Sequence, residues 1–270
     1  MNKFQAAVAQ LTSTEDVEAN LRASGQAIAE ARERGAQVVL LPENFAFMGS
    51  EATRAQIAES VGGGGRIHEF LRASAKQHQI AIVAGGMPEQ SDDARRPYNA
   101  SVVYGSDGSI LAHYRKVHLF DVDLPDGTTL CESASTKPGS SPVVCQLGEV
   151  RLGVSICYDL RFPELYRLLV GQGATVLAVT AAFTLHTGRD HWEVLLRARA
   201  IESQCWVLAA AQWGRHSPTR TTYGRSMIVD PWGTVVAQAS DGNGVVVADV
   251  DLEHQARIRS ALPCLLHRRL

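Results

Sequence analysis

The 270-residue chain has little of what marks several large protein classes. No window approaches the ~18 consecutive apolar residues of a membrane-spanning helix. The N-terminal stretch MNKFQAAVAQLTSTEDVEAN carries one basic residue and a short apolar run that turns acidic by Glu15, unlike a secretory signal. The five cysteines, at 131, 145, 157, 205 and 264, are too sparse for a disulfide scaffold. They include no Cys-x-x-Cys, which removes zinc-knuckle and thioredoxin-like readings. Basic and acidic residues nearly balance, 26 against 28, and aromatics make up 6%. A nucleic-acid partner, an anionic membrane and a base-stacking surface are therefore not expected. These absences point to a cytoplasmic chain with reduced thiols that are free for chemistry.

What is present suits a packed core: 45% of residues are hydrophobic and 20% charged. At roughly 100–200 residues per domain, the length allows one large domain or two small ones. A single domain of this size buries about three quarters of its unfolded surface and needs no metal or disulfide staples.

Periodicity divides the chain into alternating elements. Residues 3–11 alternate as a strand, and 15–34 place Val17, Leu21, Ile28 and Ala31 at helical spacing behind possible caps at Thr12 to Thr14. Gly35 is a helix stop. A buried strand follows at 37–41, ending at Pro42-Glu43, then a glycine loop at 62–65, a helix at 66–78 and a strand at 79–85. Strands 98–104 and 109–115 flank Ser106-Asp107-Gly108, a hairpin signal. The stretch 117–141, with Pro125, Gly127, Pro138 and Gly139, lacks periodicity and reads as mostly loop; loops that long are usually functional.

The second half repeats the texture. Strands are expected at 150–156, 174–180, 206–212 and 244–251, and helices at 163–172, 189–204 and 252–260. The 189–204 helix has Trp192, Leu195, Leu196 and Ile201 on its buried side. Two further strands surround a tight hairpin at Asp230-Pro231-Trp232-Gly233. No linker separates the halves, and the order favours a mixed α/β architecture with two similar layers in one domain.

Familiar phosphate and metal signatures fail. Gly62–Gly65 lacks the Lys-Ser/Thr of a phosphate loop, Gly171-Gln172-Gly173 lacks a third glycine, and no His-Glu-x-x-His occurs. Around Ser155 the closing glycine of a serine nucleophile elbow is missing, so Ser155 belongs inside its strand. Cys157 stands where an apolar strand stops, the edge at which open α/β sheets place their sites. A following helix start would favour its thiolate; the alternative is a small buried core cysteine. Glu43 has the same placement after 37–41, where partial desolvation suits a general base, or it is a surface loop glutamate. Lys116 closes the strand LAHYRK beside the long loop, as an oxyanion donor or as a solvated strand end. Nucleophile, base and oxyanion donor at three strand ends form a catalytic set.

The segments LPENFAF (41–47), YRKVHLFD (114–121) and GVSICYDLRFPELYR (153–167) resemble the three motifs of the nitrilase superfamily of carbon–nitrogen hydrolases. Glu43, Lys116 and Cys157 fall on its Glu-Lys-Cys positions, and Glu132, in LCESAS, on a second glutamate between the lysine and cysteine motifs. The stretches at 191–216, 223–237 and 262–269 are similar to one branch, which holds the amidase acting on deaminated glutathione and, nearby, the omega-amidases.

The resemblance implies one four-layer α-β-β-α sandwich, with a core at about 3–251 and a C-terminal helix and tail at 252–270. It implies pairing through a helical layer into homodimers or higher homo-oligomers. Cys157 as thiolate would attack an amide carbonyl while Glu43 takes its proton and delivers it to the leaving group. Lys116 and the N–H after Cys157 would stabilise the oxyanion, worth about 3 kcal/mol per good donor. Glu132 would hold Lys116 and the substrate amide; water would then hydrolyse the thioester. No metal or organic cofactor is required. The expected substrate is a small amide bearing a carboxylate: deaminated glutathione, split into 2-oxoglutarate and cysteinylglycine, or alternatively 2-oxoglutaramate or 2-oxosuccinamate. A non-catalytic interaction protein would have no need of all four residues. Arg161 is a carboxylate ligand or a structural arginine paired with an acidic neighbour. Tyr158, Phe183 and Thr184 are the other expected substrate contacts, the last two on a loop at 181–188.

Overall fold

Strands with near-continuous apolar sequence need cover on both faces, and the computed structural model, which describes residues 3–123 and 129–269, shows how this chain supplies it. In chain order the first half holds β1 (Lys3–Leu11), α1 (Val17–Glu33), β2 (Val38–Leu41), α2 (Glu51–Gln56), α3 (Arg66–His78), β3 (Ala81–Glu89), β4 (Tyr98–Tyr104), β5 (Ile110–Arg115), β6 (Asp121–Asp123) and β7 (Thr129–Cys131). The second half holds β8 (Val143–Leu147), β9 (Val150–Ile156), α4 (Pro163–Gly171), β10 (Val176–Ala181), α5 (Leu185–Ser203), β11 (Trp206–Arg215), β12 (Thr221–Tyr223), β13 (Met227–Val229), β14 (Val235–Gln238), β15 (Gly244–Asp251) and α6 (Leu252–Ala261).

The main strands form two sheets, β15-β1-β2-β3-β4-β5 and β8-β9-β10-β11-β13-β14. They join where β1 and β11 pair through Gln10↔Ala211 and Leu11↔Gln212. In the first sheet, side chains alternate between two cores. Ala7, Ala9, Val39, Leu41, Ile82 and Ala84 pack against Leu21, Ile28, Ile67 and Leu71 of α1 and α3. Ala6, Val8, Val38, Leu40, Ala81 and Val83 face the second sheet, in one core with Val154, Ile156 and Ala178. That core continues to Leu165, Tyr166 and Leu169 of α4 and to Trp192 and Leu196 of α5. The layers are therefore α-β-β-α.

Several boundaries differ from the sequence expectation for physical reasons. Helix α1 is capped by Asp16, whose carboxylate accepts from Ala19 N at 3.0 Å, not by Thr12 to Thr14. Helix α5 starts at Leu185 under a Thr184 cap, so the second half of the expected 181–188 loop is the first helical turn. Gly188 is no breaker there: a Cβ would lie 2.3 Å from Tyr223 Cβ, so β12 demands a glycine at that helix surface. Ile201, expected inside, is 49% exposed. Strand β8 is an edge strand with a weak pattern, and α2 is a single short turn of helix; neither had a periodic signal. The 117–141 stretch contains the β6–β7 ribbon and a 3-10 turn at Glu132–Ala134; Pro125 and Gly127 lie outside the described residues. No described helix is long and apolar enough to cross a membrane.

Candidate active site

The topology collects chemically useful side chains at one edge. Strands β1–β2–β3 and β9–β10–β11 run parallel, so their carboxyl ends lie together. β4 and β5 each reverse direction, which brings the start of β4 and the end of β5 to the same edge as the end of β3. Glu43 follows β2, Asn99 opens β4, Lys116 follows β5 and Cys157 follows β9.

Cys157 begins a 3-10 turn, Cys157–Arg161, with φ of +48°. A side chain in this left-handed conformation costs about 1–3 kcal/mol and persists only where its surroundings impose it. Here the clamp is Asp159. Its fully buried carboxylate accepts from Ile156 N at 2.9 Å, Tyr114 Oη at 2.7 Å, and His118 N and Nδ1 at 3.1 and 2.7 Å. The His118 ring stacks on Phe162 at 3.7 Å. One carboxylate thus ties the Cys157 turn to the segment just after Lys116. Ser155 lies inside β9, its Oγ bonded to Tyr166 Oη and Ala178 O at 2.8 and 2.9 Å, as expected for a strand residue.

Glu43 is buried, 3% exposed, rather than a surface glutamate. Its backbone O accepts from Gln212 Nε2 at 3.0 Å, and Asn44 N donates to Gly86 O at 2.8 Å. Gly86 has φ of +57°, and a Cβ there would stand 2.3 Å from Glu43 Cγ. This close approach leaves room only for glycine. Lys116 is 2% exposed, so it is no solvated strand end. Its Nζ lies 3.1 Å from Glu43 Oε1 and 3.1 and 2.9 Å from the two oxygens of Glu132. Asn99 Nδ2 donates to Glu43 Oε1 at 2.9 Å and reaches Glu132 Oε1 at 3.3 Å. Phe120 N donates to Glu132 Oε2 at 2.7 Å.

These contacts set the charges. Burial opposes the ammonium of Lys116, but the Glu132 and Glu43 carboxylates outweigh it and hold the amine protonated. Burial likewise pushes the Glu132 carboxyl up, and the Lys116 charge, aided by hydrogen bonds, brings it below its ordinary 4.5. Cys157 goes the other way. Burial and the Glu43 charge lift its thiol well above its ordinary 9.0, against the pull of Lys116 and a hydrogen bond from Ala182 N. Burial and the Glu43 charge thus work against the resting thiolate that a following helix start would favour.

Glu43, Lys116, Glu132 and Cys157 line a cavity of about 510 Å³. A narrower recess shares Phe120, Cys157, Ala182 and Thr184 with it and adds Tyr158, Arg161 and Phe183. All eight residues singled out in the sequence therefore meet in two adjoining spaces. The Arg161 guanidinium lies 5.4 Å from the Phe183 ring and 5.9 Å from the Tyr158 ring, with Nη1 3.3 Å from His191 Nδ1. Among the described residues no acid pairs with it, so the structural pairing considered for Arg161 is not formed. The sequence reading passed over Asn99, Gln212 and the Asp159–His118 clamp. A polar residue interrupting an apolar strand, as Asn99 and Gln212 do, is the signal that could have found the first two.

The profile of the family described as "Carbon-nitrogen hydrolase" matches residues 5–260. The chain is 44% identical over 271 aligned residues to a deaminated glutathione amidase of Synechocystis sp., covering 99% of both chains. Among solved structures, the NitFhit protein of C. elegans superposes with a TM-score of 0.93 at 42% identity, over 99% of this chain and 65% of that one. Nit3 of Saccharomyces cerevisiae, a member of branch 10 of the nitrilase superfamily, superposes with a TM-score of 0.88 at 31% identity, over 97% and 94% of the two chains.

Proposed function

The chain belongs to the carbon–nitrogen hydrolase family, and from that premise we propose that it is a cysteine-dependent amidase that splits deaminated glutathione into 2-oxoglutarate and cysteinylglycine. The observation that carries the reading is the buried Glu43–Lys116–Glu132 cluster beside the Cys157 thiol at the floor of one cavity. The amidase named above, 44% identical over the full length, supports the choice of substrate.

In the first half-reaction the Cys157 sulfur attacks the amide carbonyl as its proton passes to Glu43, so the thiolate exists only as the bond forms. The developing oxyanion meets the fixed charge of Lys116 and the N–H of Tyr158, in the first turn after the strand, where N–H groups lack intrahelical acceptors. Collapse breaks the carbon–nitrogen bond. Glu43 returns its proton to the departing amine of cysteinylglycine, leaving an acyl thioester on Cys157. Glu43 then takes a proton from water as its oxygen attacks the thioester, and the thiol is regenerated with release of 2-oxoglutarate. Glu132 and Asn99 keep Lys116 and Glu43 in place, and Arg161 in the narrow recess, with no carboxylate partner among the described residues, takes the 2-oxo acid carboxylate, flanked by Tyr158, Phe183 and Thr184.

Within this reading residues 3–251 with the C-terminal helix act as one domain. Exposed Leu168, Val194, Ile201 and Trp232 on the second helical side support homodimerisation through that layer. Five unpaired cysteines, two of them exposed, suit a reducing compartment such as the cytoplasm.

The test is a side-by-side assay on deaminated glutathione, followed by cysteinylglycine and 2-oxoglutarate release, and on 2-oxoglutaramate, followed by ammonia. Higher kcat/KM on the first is expected, and Cys157→Ala abolishes turnover with the fold intact. A preference for 2-oxoglutaramate would move the assignment to an omega-amidase. Undiminished turnover in Cys157→Ala would refute the mechanism.

A further inference from the structure

The cavity walls carry three carboxylates, Glu43, Glu51 and Glu132, and three strong cations, Lys116, Arg54 and Arg220. Two of the cations have a carboxylate within ion-pair distance. Lys116 is held by Glu43 and Glu132, and Arg54 donates from one nitrogen to Thr136 Oγ1 at 2.7 Å and lies 3.6 Å from Glu51, while its buried Nε and Nη2 find no partner among the described residues. Arg220 is different: half-buried in the wall, its guanidinium pairs with no carboxylate among the described residues. A partly desolvated cation facing a substrate cavity without an anion is an incomplete pair.

Its backbone is well fixed. Arg220 stands at the tip between β11 and β12, where its O accepts from His216 N at 2.9 Å. The His216 ring spans Thr222 Oγ1 at 2.6 Å and Ser13 O at 2.8 Å, and Thr222 bridges to Thr184 at the start of α5. The tip is thus fastened to both halves of the fold, and it presents Arg220 from the wide cavity while Arg161 occupies the narrow recess. A substrate with a carboxylate on each side of its scissile amide would complete both.

We propose that Arg220 receives the carboxylate of the leaving group, and so sets a preference for amides of acidic peptidyl amines over amides whose nitrogen carries no acid. This rests on the amidase reading above and assigns the leaving-group side of the same site. The short omega-amides have nothing to offer Arg220, because they release ammonia.

The experiment uses the full-length enzyme with deaminated glutathione and its counterpart bearing a C-terminal glycinamide, which differ by one charge at the leaving group's end. Wild type is expected to favour the free acid by about tenfold in kcat/KM, chiefly through KM, the scale of one charge-assisted contact. Arg220→Gln erases that preference, and Arg220→Lys keeps part of it. The substitution is on a hairpin tip, and circular dichroism checks that the variants fold. A preference that survives in Arg220→Gln, or a wild type indifferent to the glycinamide, overturns the assignment. A wild type that turns over neither peptide while hydrolysing 2-oxoglutaramate overturns the substrate reading instead, and this inference with it.

Discussion

Replacing Glu43 with Gln separates two properties that the structure joins. The exchange keeps the shape of the side chain and removes one negative charge beside the Cys157 thiol. That thiol is pushed up first by burial and then by Glu43, while Lys116 pulls it down. A unit charge about 4 Å away acts with roughly 4 kcal/mol at an effective dielectric constant near 20. At 1.36 kcal/mol per decade this is about three decades in proton affinity, and relaxation and water entry reduce it to one or two. Lys116 stays charged, because Glu132 still holds it at 2.9 Å. The variant should therefore lose turnover, for want of a base, and at the same time alkylate faster at Cys157 near neutral pH. The assay is the iodoacetamide rate at Cys157 followed by intact mass from pH 6 to 10, with Cys157→Ala as the blank for exposed Cys131 and Cys264. The profile of Glu43→Gln should shift to lower pH than that of wild type. An unchanged or upward-shifted profile would refute the pairing of Glu43 with the thiol, whatever happened to turnover.

Three other perturbations follow from the same contacts. Asp159→Asn leaves an amide among four donors, so at least two charge-assisted bonds of about 1.5–3 kcal/mol each are lost; a urea midpoint corresponding to less than about 1 kcal/mol of destabilisation would contradict the clamp. Gly86→Ala places a methyl group 2.3 Å from Glu43 Cγ at a φ of +57°. Its kcat should fall by at least about tenfold with the circular dichroism spectrum retained, since displacing a catalytic group by an ångström costs on the order of a hundredfold. The Glu132 carboxyl, held below 4.5 in the fold, contributes stability that is present above that pH and lost as pH falls through its folded value. In Lys116→Met the downward pull is gone and burial raises the same carboxyl, so stability should rise as pH falls from 7, opposite in slope to wild type. Urea midpoints measured from pH 4 to 7 check the sign, and parallel curves for the two proteins would rule it out.

Much of the site was legible because strand ends were legible. A strand that stops at Pro42-Glu43, at Lys116 or at Cys157 marks the residue placed at its carboxyl edge. The resemblance to the nitrilase motifs then added Glu132, which nothing local distinguished. What escaped had no periodic trace. The start of α5 was masked by Gly188, a glycine required by the close approach of Tyr223 and not by a helix end. Ser155 was correctly set inside its strand, yet the strained turn lies two residues later, at Cys157, where an Asp159 clamp replaces the glycine of an elbow.

By itself the sequence determined the inventory: a thiol, an amine and a carboxylate at the ends of buried strands, few cysteines to pair and no charge excess to attract a polyanion. Local pattern suffices for this, since alternation and its interruption are properties of neighbouring residues. Only the tertiary structure decided how those groups are charged and which are spent. Asn99 meets Glu43 from 56 residues away, Lys116 from 73 and Gln212 from 169. Proton affinity and pairing depend on distance and desolvation, and neither is written along the chain. The same reason separates Arg54, with Glu51 beside it, from Arg161 and Arg220, which line the two adjoining spaces with no carboxylate partner among the described residues.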